Sequence, residues 1–241
     1  MKLSTIAVHA GDRRKPDEFI PVTTPIYNAS SYFYDRIEDL DKVFGNEKKG
    51  QAYSRYGNPT TKALEDQVAA LEGGNFAQAC SSGMAAIHLA LLAALTDRRK
   101  SVIAANVLYG QTITLLTNVL EPAGVTVQFS DPCDLESFES AVAEVKPACV
   151  FIETVSNPMM RIPALDRVVE ITRQHGAVLI VDSTFTTPLL MRPLEIGADI
   201  VVHSATKYLA GHGDALGGVL VAGDQFRPTL EILGRTLGMN L

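Results

Sequence analysis

From residue 59 onward, short continuous apolar segments alternate with segments of helical period, and that order leaves few folds open. Apolar strands are expected at 101–106, 125–130, 149–154, 178–182, 200–203 and 218–221. Helices are expected between them: 60–71, with Leu64, Val68 and Leu71 on one face and Gly73-Gly74 as its stop, an Ala/Leu-rich helix opening at Ser81-Ser82-Gly83 and running to about Leu95, and 165–175. Strands that are apolar on both sides need cover on both sides. The expectation is therefore an α/β fold, a mostly parallel sheet flanked by helices and joined by right-handed crossovers. Residues 1–58 lack sustained periodicity and carry Pro16, Pro21, Pro25 and the polar run 45–51, which reads as an extended N-terminal arm before a domain at 59–241. No internal repeat or low-complexity tract interrupts this order.

Two of the expected strands end in chemistry. The run 200–203 leads into Ser204-Ala205-Thr206-Lys207-Tyr208-Leu209-Ala210-Gly211-His212-Gly213-Asp214, which sets one lysine between hydroxyls and glycines. Open α/β sheets bind ligands at the edge where strands run out into loops. A lysine desolvated there has a lowered pKa, and its neutral amine can attack an aldehyde. Ser204 and Thr206 alternate onto one face and offer hydroxyls to an anion, while Gly211 and Gly213 let backbone come close to a ligand. The run 178–182 ends in Asp182, which should emerge at the same edge as Lys207. An amine, a carboxylate able to hold a ring nitrogen protonated, and donors for a phosphate are what pyridoxal phosphate requires. Each residue also has a plainer reading. Lys207 could be a surface lysine, Asp182 a helix cap, Ser81 or Ser82 an ordinary cap, Tyr109 rim packing and Arg55 a solvated arginine. The first turn of the helix at Gly83 and Met84 nevertheless has unpaired amides and a positive dipole end suited to phosphate.

Composition narrows the partners. The 241 residues are 46% hydrophobic and 20% charged, with a net charge of −6 and no extended Lys/Arg-rich cluster. Nucleic acid and anionic membranes are therefore poor partners. No apolar run reaches membrane-spanning length, and Met1-Lys2-Leu3-Ser4-Thr5 lacks the apolar core of a signal peptide. Cys80, Cys133 and Cys149 are odd in number and widely spaced, which suits neither a disulfide framework nor a zinc site and points to a reducing cytoplasm. None of the five histidines has a partner at metal-ligand spacing, so no metal is expected. His203 reads as an incidental strand end, His212 as loop-shaping, and Asp199 and Glu195 as solvated carboxylates near a turn.

Seven blocks in order give the chain a resemblance to the Cys/Met-metabolism (trans-sulfuration) family of pyridoxal-phosphate enzymes. They are Val8-His9-Ala10-Gly11, Pro21-Val22-Thr23-Thr24-Pro25-Ile26-Tyr27, Tyr53-Ser54-Arg55-Tyr56-Gly57-Asn58-Pro59-Thr60, Ser81-Ser82-Gly83-Met84-Ala85-Ala86, Tyr109-Gly110, Glu153-Thr154-Val155-Ser156-Asn157-Pro158, and 182–214. The resemblance implies the large cofactor domain of aspartate-aminotransferase-like enzymes. It implies that Lys207 bonds the cofactor aldehyde, Asp182 partners the pyridine nitrogen, Tyr109 stacks on the ring and Asn157 neighbours the ring hydroxyl. Ser82, Gly83, Met84, Ser204 and Thr206 would form the phosphate cup, with Tyr53 and Arg55 reaching in from a second subunit of a homodimer or homotetramer. The implied reaction is elimination or replacement at the β- or γ-carbon of a sulfur-containing or O-activated amino acid, in the style of cystathionine γ-synthase or γ-lyase. O-acetylhomoserine sulfhydrylase or methionine γ-lyase chemistry is the alternative. Methionine γ-lyases carry a cysteine two residues after the stacking tyrosine, and Gln111 stands there in this chain. Family members continue into a C-terminal domain that supplies an arginine for the substrate carboxylate. The chain is accordingly expected to lack that domain, and a catalytically impaired cofactor-binding subunit is a further alternative. A nicotinamide dehydrogenase would need a glycine fingerprint that Gly73-Gly74 and Gly217-Gly218 do not supply.

Overall fold

The structure, a computed structural model, describes residues 2–11, 20–45 and 47–241. Met1, Pro16 and Asn46, which figure in the sequence reading of the N-terminus and arm, lie outside those residues.

The N-terminal segment, expected as an extended arm, carries some local helix. It holds two short helices, α1 (Leu3–His9) and α2 (Ile37–Phe44), and a 3-10 turn at Ser54–Tyr56. Neither α1 nor α2 contains a buried residue. Helices this short owe their order to packing rather than to sequence period. α1 is held by the side-chain amide of Gln67, which donates to the Ala7 carbonyl, and Phe44 at the end of α2 meets Tyr56 edge-on at 5.8 Å. Between the helices Ser31 bridges Tyr53, so Tyr53 and Arg55 are fixed against the rest of the arm.

The regular part opens with α3 (Pro59–Glu72). Asn58 caps it by accepting the Thr60 amide at 2.8 Å, Pro59 fills the first turn, and Gly73 ends it with φ +74. There follow β1 (Phe76–Cys80), α4 (Gly83–Leu95), β2 (Ser101–Ala105), α5 (Gly110–Leu115) continued by a π turn at Leu116–Leu120, β3 (Thr126–Ser130), α6 (Leu135–Val145), β4 (Cys149–Glu153), α7 (Leu165–Gln174), β5 (Val178–Asp182), two single-turn helices α8 (Thr187–Leu190) and α9 (Pro193–Ile196), β6 (Ile200–Ser204), β7 (Gly218–Ala222) and α10 (Arg227–Leu237). The seven strands form one sheet in the order β1-β7-β6-β5-β4-β2-β3. Only β7 runs against its neighbours, so β1 and β6 on either side of it are parallel to the rest. The expected α/β architecture is therefore present, with the antiparallel β7 as the one departure from a parallel sheet.

α4 is the central helix. Its residues Ile87, Leu89, Ala90, Leu91, Ala93 and Ala94 are buried, and it has no polar face because it lies between the sheet and α10. The register then sets the functional edge. Cys80 is opposite Gly218, which is opposite Ser204, while Glu153 is opposite Asp182 and Asp182 opposite Val202. The carboxyl ends of β1, β6, β5, β4 and β2 thus share one rim.

One polar pair lies wholly inside the core. Nε2 of His203 in β6 is 2.5 Å from Oε1 of Glu72 in α3, and both side chains are fully buried among Val68, Val219 and their neighbours. Removing one partner leaves the other dry and unpaired. Glu72→Ala is expected to cost on the order of 3 kcal/mol in chemical denaturation, and the double replacement of Glu72 and His203 by leucine to recover most of it. A single-variant loss below about 1 kcal/mol would show that the pair carries no such weight.

Candidate active site

The residues singled out in the sequence gather on this rim because each follows the end of a rim strand. Ser82 and Gly83 follow β1, Tyr109 follows β2, Asn157 follows β4, Asp182 closes β5, and Ser204 closes β6 with Lys207 three residues beyond. Tyr53 and Arg55 are placed elsewhere. Arg55 donates to the Arg235 carbonyl at 2.9 Å, accepts at its own carbonyl from the Asn240 side chain, and lies over the rings of Tyr53 and Tyr56. Among the described residues these contacts hold Arg55 against the end of α10, and none joins it to Lys207, Asp182 or Tyr109.

The amino end of α4 is seated unusually close to the sheet. A Cβ on Gly83 would lie 2.7 Å from the Ser204 Cβ, and one on Gly218 would lie 2.1 Å from the Ser82 carbonyl oxygen. Only glycine permits this approach. Ser82 caps the helix by accepting the Ala85 amide at 3.1 Å, leaving the amides of Gly83 and Met84 without an acceptor in their own helix. The close approach sets Gly83, at the start of α4, beside the Ser204 side chain.

Asp182 is partly exposed at the mouth of β5. Its Oδ1 accepts the Thr184 amide at 2.9 Å, and the Thr184 hydroxyl in turn accepts the Ser204 amide at 2.8 Å, which ties the ends of β5 and β6 together. Desolvation raises the Asp182 pKa, while the Thr184 hydrogen bonds and the His203 ring pull it back. A cationic ring nitrogen beside the carboxylate would hold it ionised. Tyr109 presents its ring at the rim, 45% exposed, and Asn157 lies half-buried on the turn after β4.

Three expectations are corrected. Lys207 is exposed on the turn after β6 rather than desolvated, because the strand ends at Ser204 and no element of the described chain covers the turn. Thr206 does not alternate with Ser204 along a strand. Its Oγ1 donates to the Gly217 carbonyl and accepts the Gly217 amide, both at 3.1 Å, and so closes the 206–217 loop. Strand alternation fails there because Thr206 already lies in the turn. Asp199 is no simple solvated carboxylate either, since its Oδ2 accepts the Leu179 amide at 2.8 Å and fastens β5. His212 does sit exposed in the glycine loop, its Nδ1 3.3 Å from the Ala210 carbonyl.

Glu153 and the Glu72–His203 pair were not singled out. Glu153 closes an apolar strand with a carboxylate, the same signal that marks Asp182. Nothing in the sequence joins Glu72 to His203.

The residues present fit pyridoxal phosphate. The glycine-permitted seat sets the start of α4 beside a hydroxyl, and the same rim carries a strand-end carboxylate, an amine and an exposed aromatic, the donor set that the group requires. Comparison with known proteins agrees. The model of the family described as Cys/Met metabolism PLP-dependent enzyme matches residues 4–241. The chain is 38% identical over 233 residues to an L-methionine gamma-lyase of Fusobacterium nucleatum, covering 96% of this chain and 58% of that protein. It is 39% identical over 229 residues to an O-acetyl-L-homoserine sulfhydrylase of Leptospira meyeri, covering 93% and 50%. The crystal structure of a cystathionine gamma synthase from Xanthomonas oryzae in complex with aminoacrylate and cysteine superposes with a TM-score of 0.88 at 37% identity, over 100% of this chain and 59% of that one. The chain thus spans about half the length of the curated relatives it matches.

Proposed function

The chain belongs to the family of Cys/Met-metabolism PLP-dependent enzymes, and from that membership we propose that it serves elimination or replacement at the β- or γ-carbon of sulfur-containing or O-activated amino acids. The observation that carries the reading is the single rim on which Lys207, Asp182, Tyr109, Asn157 and the amino end of α4 follow the ends of their strands. Residues 59–241 are the cofactor-binding domain in this reading, and 1–58 the arm.

Bound pyridoxal phosphate supplies the electron sink for charge developing at the substrate α-carbon. The Gly83 and Met84 amides with Ser82 and Ser204 would hold its phosphate, Tyr109 would face its ring, and Asn157 would meet its ring hydroxyl. The Asp182 carboxylate would accept a hydrogen bond from the protonated ring nitrogen and so favour its charged form. Lys207 Nζ would be the amine that meets the aldehyde and the base that carries a proton between substrate carbons. Thr206 shapes the loop that aims Lys207. Tyr53 and Arg55 complete the phosphate contacts from a second copy of the chain, which makes the working form a homo-oligomer. Gln111, in the place where a methionine γ-lyase has cysteine, favours γ-synthase, γ-lyase of cystathionine, or sulfhydrylase chemistry over a specialised methionine γ-lyase. No described helix is long and apolar enough to cross a membrane, and three unpaired cysteines suit a reducing cytoplasm.

The test is to purify the chain with pyridoxal phosphate, reduce it with borohydride and map the labelled peptide, then measure ketoacid release from cystathionine, cysteine and methionine, and thiol replacement on O-acetylhomoserine. The pyridoxyl group is expected on Lys207. Its appearance on another lysine would remove Lys207 from its role, and no uptake at all would end the cofactor reading.

A further inference from the structure

Glu153 closes β4 directly opposite Asp182, and its side chain is 7% exposed. Its Oε1 accepts the main-chain amide of Tyr109 at 2.7 Å and its Oε2 accepts the main-chain amide of Asn157 at 2.9 Å. Among the described residues no basic side chain forms an ion pair with it. We propose that Glu153 is the positioning residue of the site, holding the loop that carries Tyr109 and the loop that carries Asn157 at one fixed separation beside Asp182. This inference rests on the cofactor reading above, in which those two residues meet the ring.

The choice of a carboxylate is what makes the role specific. Two amides converge on one side chain, so the site needs two acceptors and no donor in a single rigid plane. Glutamate offers that, whereas glutamine must turn its NH2 toward one of the two amides. Keeping a carboxylate here is costly. Desolvation pushes Glu153 up to about 7, the amides of Tyr109 and Asn157 hold it back, and the neighbouring Asp182 adds to the rise. A turn that needed only stability could satisfy each amide with a local carbonyl at lower cost. What the carboxylate adds is a link between two loops that leave adjacent strands, β2 and β4, and carry the two residues that would meet the ring. Tyr109 is also the N-cap residue just before α5, so holding its amide fixes the entry to that helix.

The experiment compares the full chain with Glu153→Gln and Glu153→Ala by pyridoxal-phosphate titration, visible circular dichroism of the bound cofactor, and amide hydrogen exchange. Glu153→Gln is expected to weaken uptake about tenfold or more and to change the dichroic band, with borohydride still labelling Lys207. Exchange should quicken at the Tyr109 or the Asn157 amide in Glu153→Gln and at both in Glu153→Ala, while the Thr184 amide held by Asp182 is unchanged. Uptake within threefold of wild type, together with both amides still protected, would overturn the inference and leave the cofactor reading standing. If the wild-type chain takes up no cofactor, that reading falls and the inference with it. Should neither variant fold, wild-type exchange decides: two protected amides support the clamp, and free-peptide exchange at either one refutes it.

Discussion

Lys207→Ala is expected to lower turnover by at least about 10³-fold while the chain still takes up pyridoxal phosphate, though more weakly. The asymmetry comes from how the rim is assembled. In the proposed reading the phosphate would be held by the Gly83 and Met84 amides and Ser204, and the ring nitrogen by Asp182, and the hydrogen bonds that place these groups do not involve the Lys207 side chain. In that reading the amine has two tasks, meeting the aldehyde and moving a proton between substrate carbons. Both end with its removal. Uptake would be followed by absorbance and turnover by ketoacid release, with borohydride labelling lost. Turnover within tenfold of wild type would mean that another base does this work.

Gly218→Ala is expected to be the most damaging small substitution in the sheet. The added Cβ would lie 2.1 Å from the Ser82 carbonyl oxygen, 2.4 Å from its carbon and 2.8 Å from the Gly83 nitrogen. All three are backbone atoms, so no rotamer change can relieve the contact, and the amino end of α4 has to lift off the rim. A loss on the order of 3 kcal/mol in denaturant unfolding is expected, with cofactor uptake reduced by more than about tenfold. Wild-type stability and uptake in this variant would show that the seat of α4 is softer than its spacing implies.

The strands that follow long apolar runs were legible, since β4, β5, β6 and β7 are buried along nearly their whole length and their composition leaves no other use for them. β1 was not. Phe76-Ala77-Gln78-Ala79-Cys80 has no β-branched residue, and it is a strand because β7 and α3 are there to receive it. α6 carries a signal readable in the sequence, an Asp134 cap on the Ser137 amide followed by Leu135, Phe138 and Val142 on one face. In the candidate site, the placement of Asp182, Asn157 and Tyr109 at strand ends could be read from local pattern. The Thr206 latch, the Glu153 clamp and the Glu72–His203 pair could not, because each depends on a partner brought in by the fold. Exposure of Lys207 is of the same kind, since covering a turn is the work of other elements.

The antiparallel insertion of β7 also bears on the order in which the molecule can assemble. β1 touches the sheet only through β7, so its partner emerges from the ribosome about 140 residues later, a long loop to close before any reward. Until residue 222 has been made, β1 waits with an open edge, and α4 has no Gly218 against which to seat. The cradle at the amino end of α4 is therefore one of the last features to form. Cofactor can act as a ligand of the finished sheet, pulling that last closure forward by mass action, but it cannot template the earlier strands.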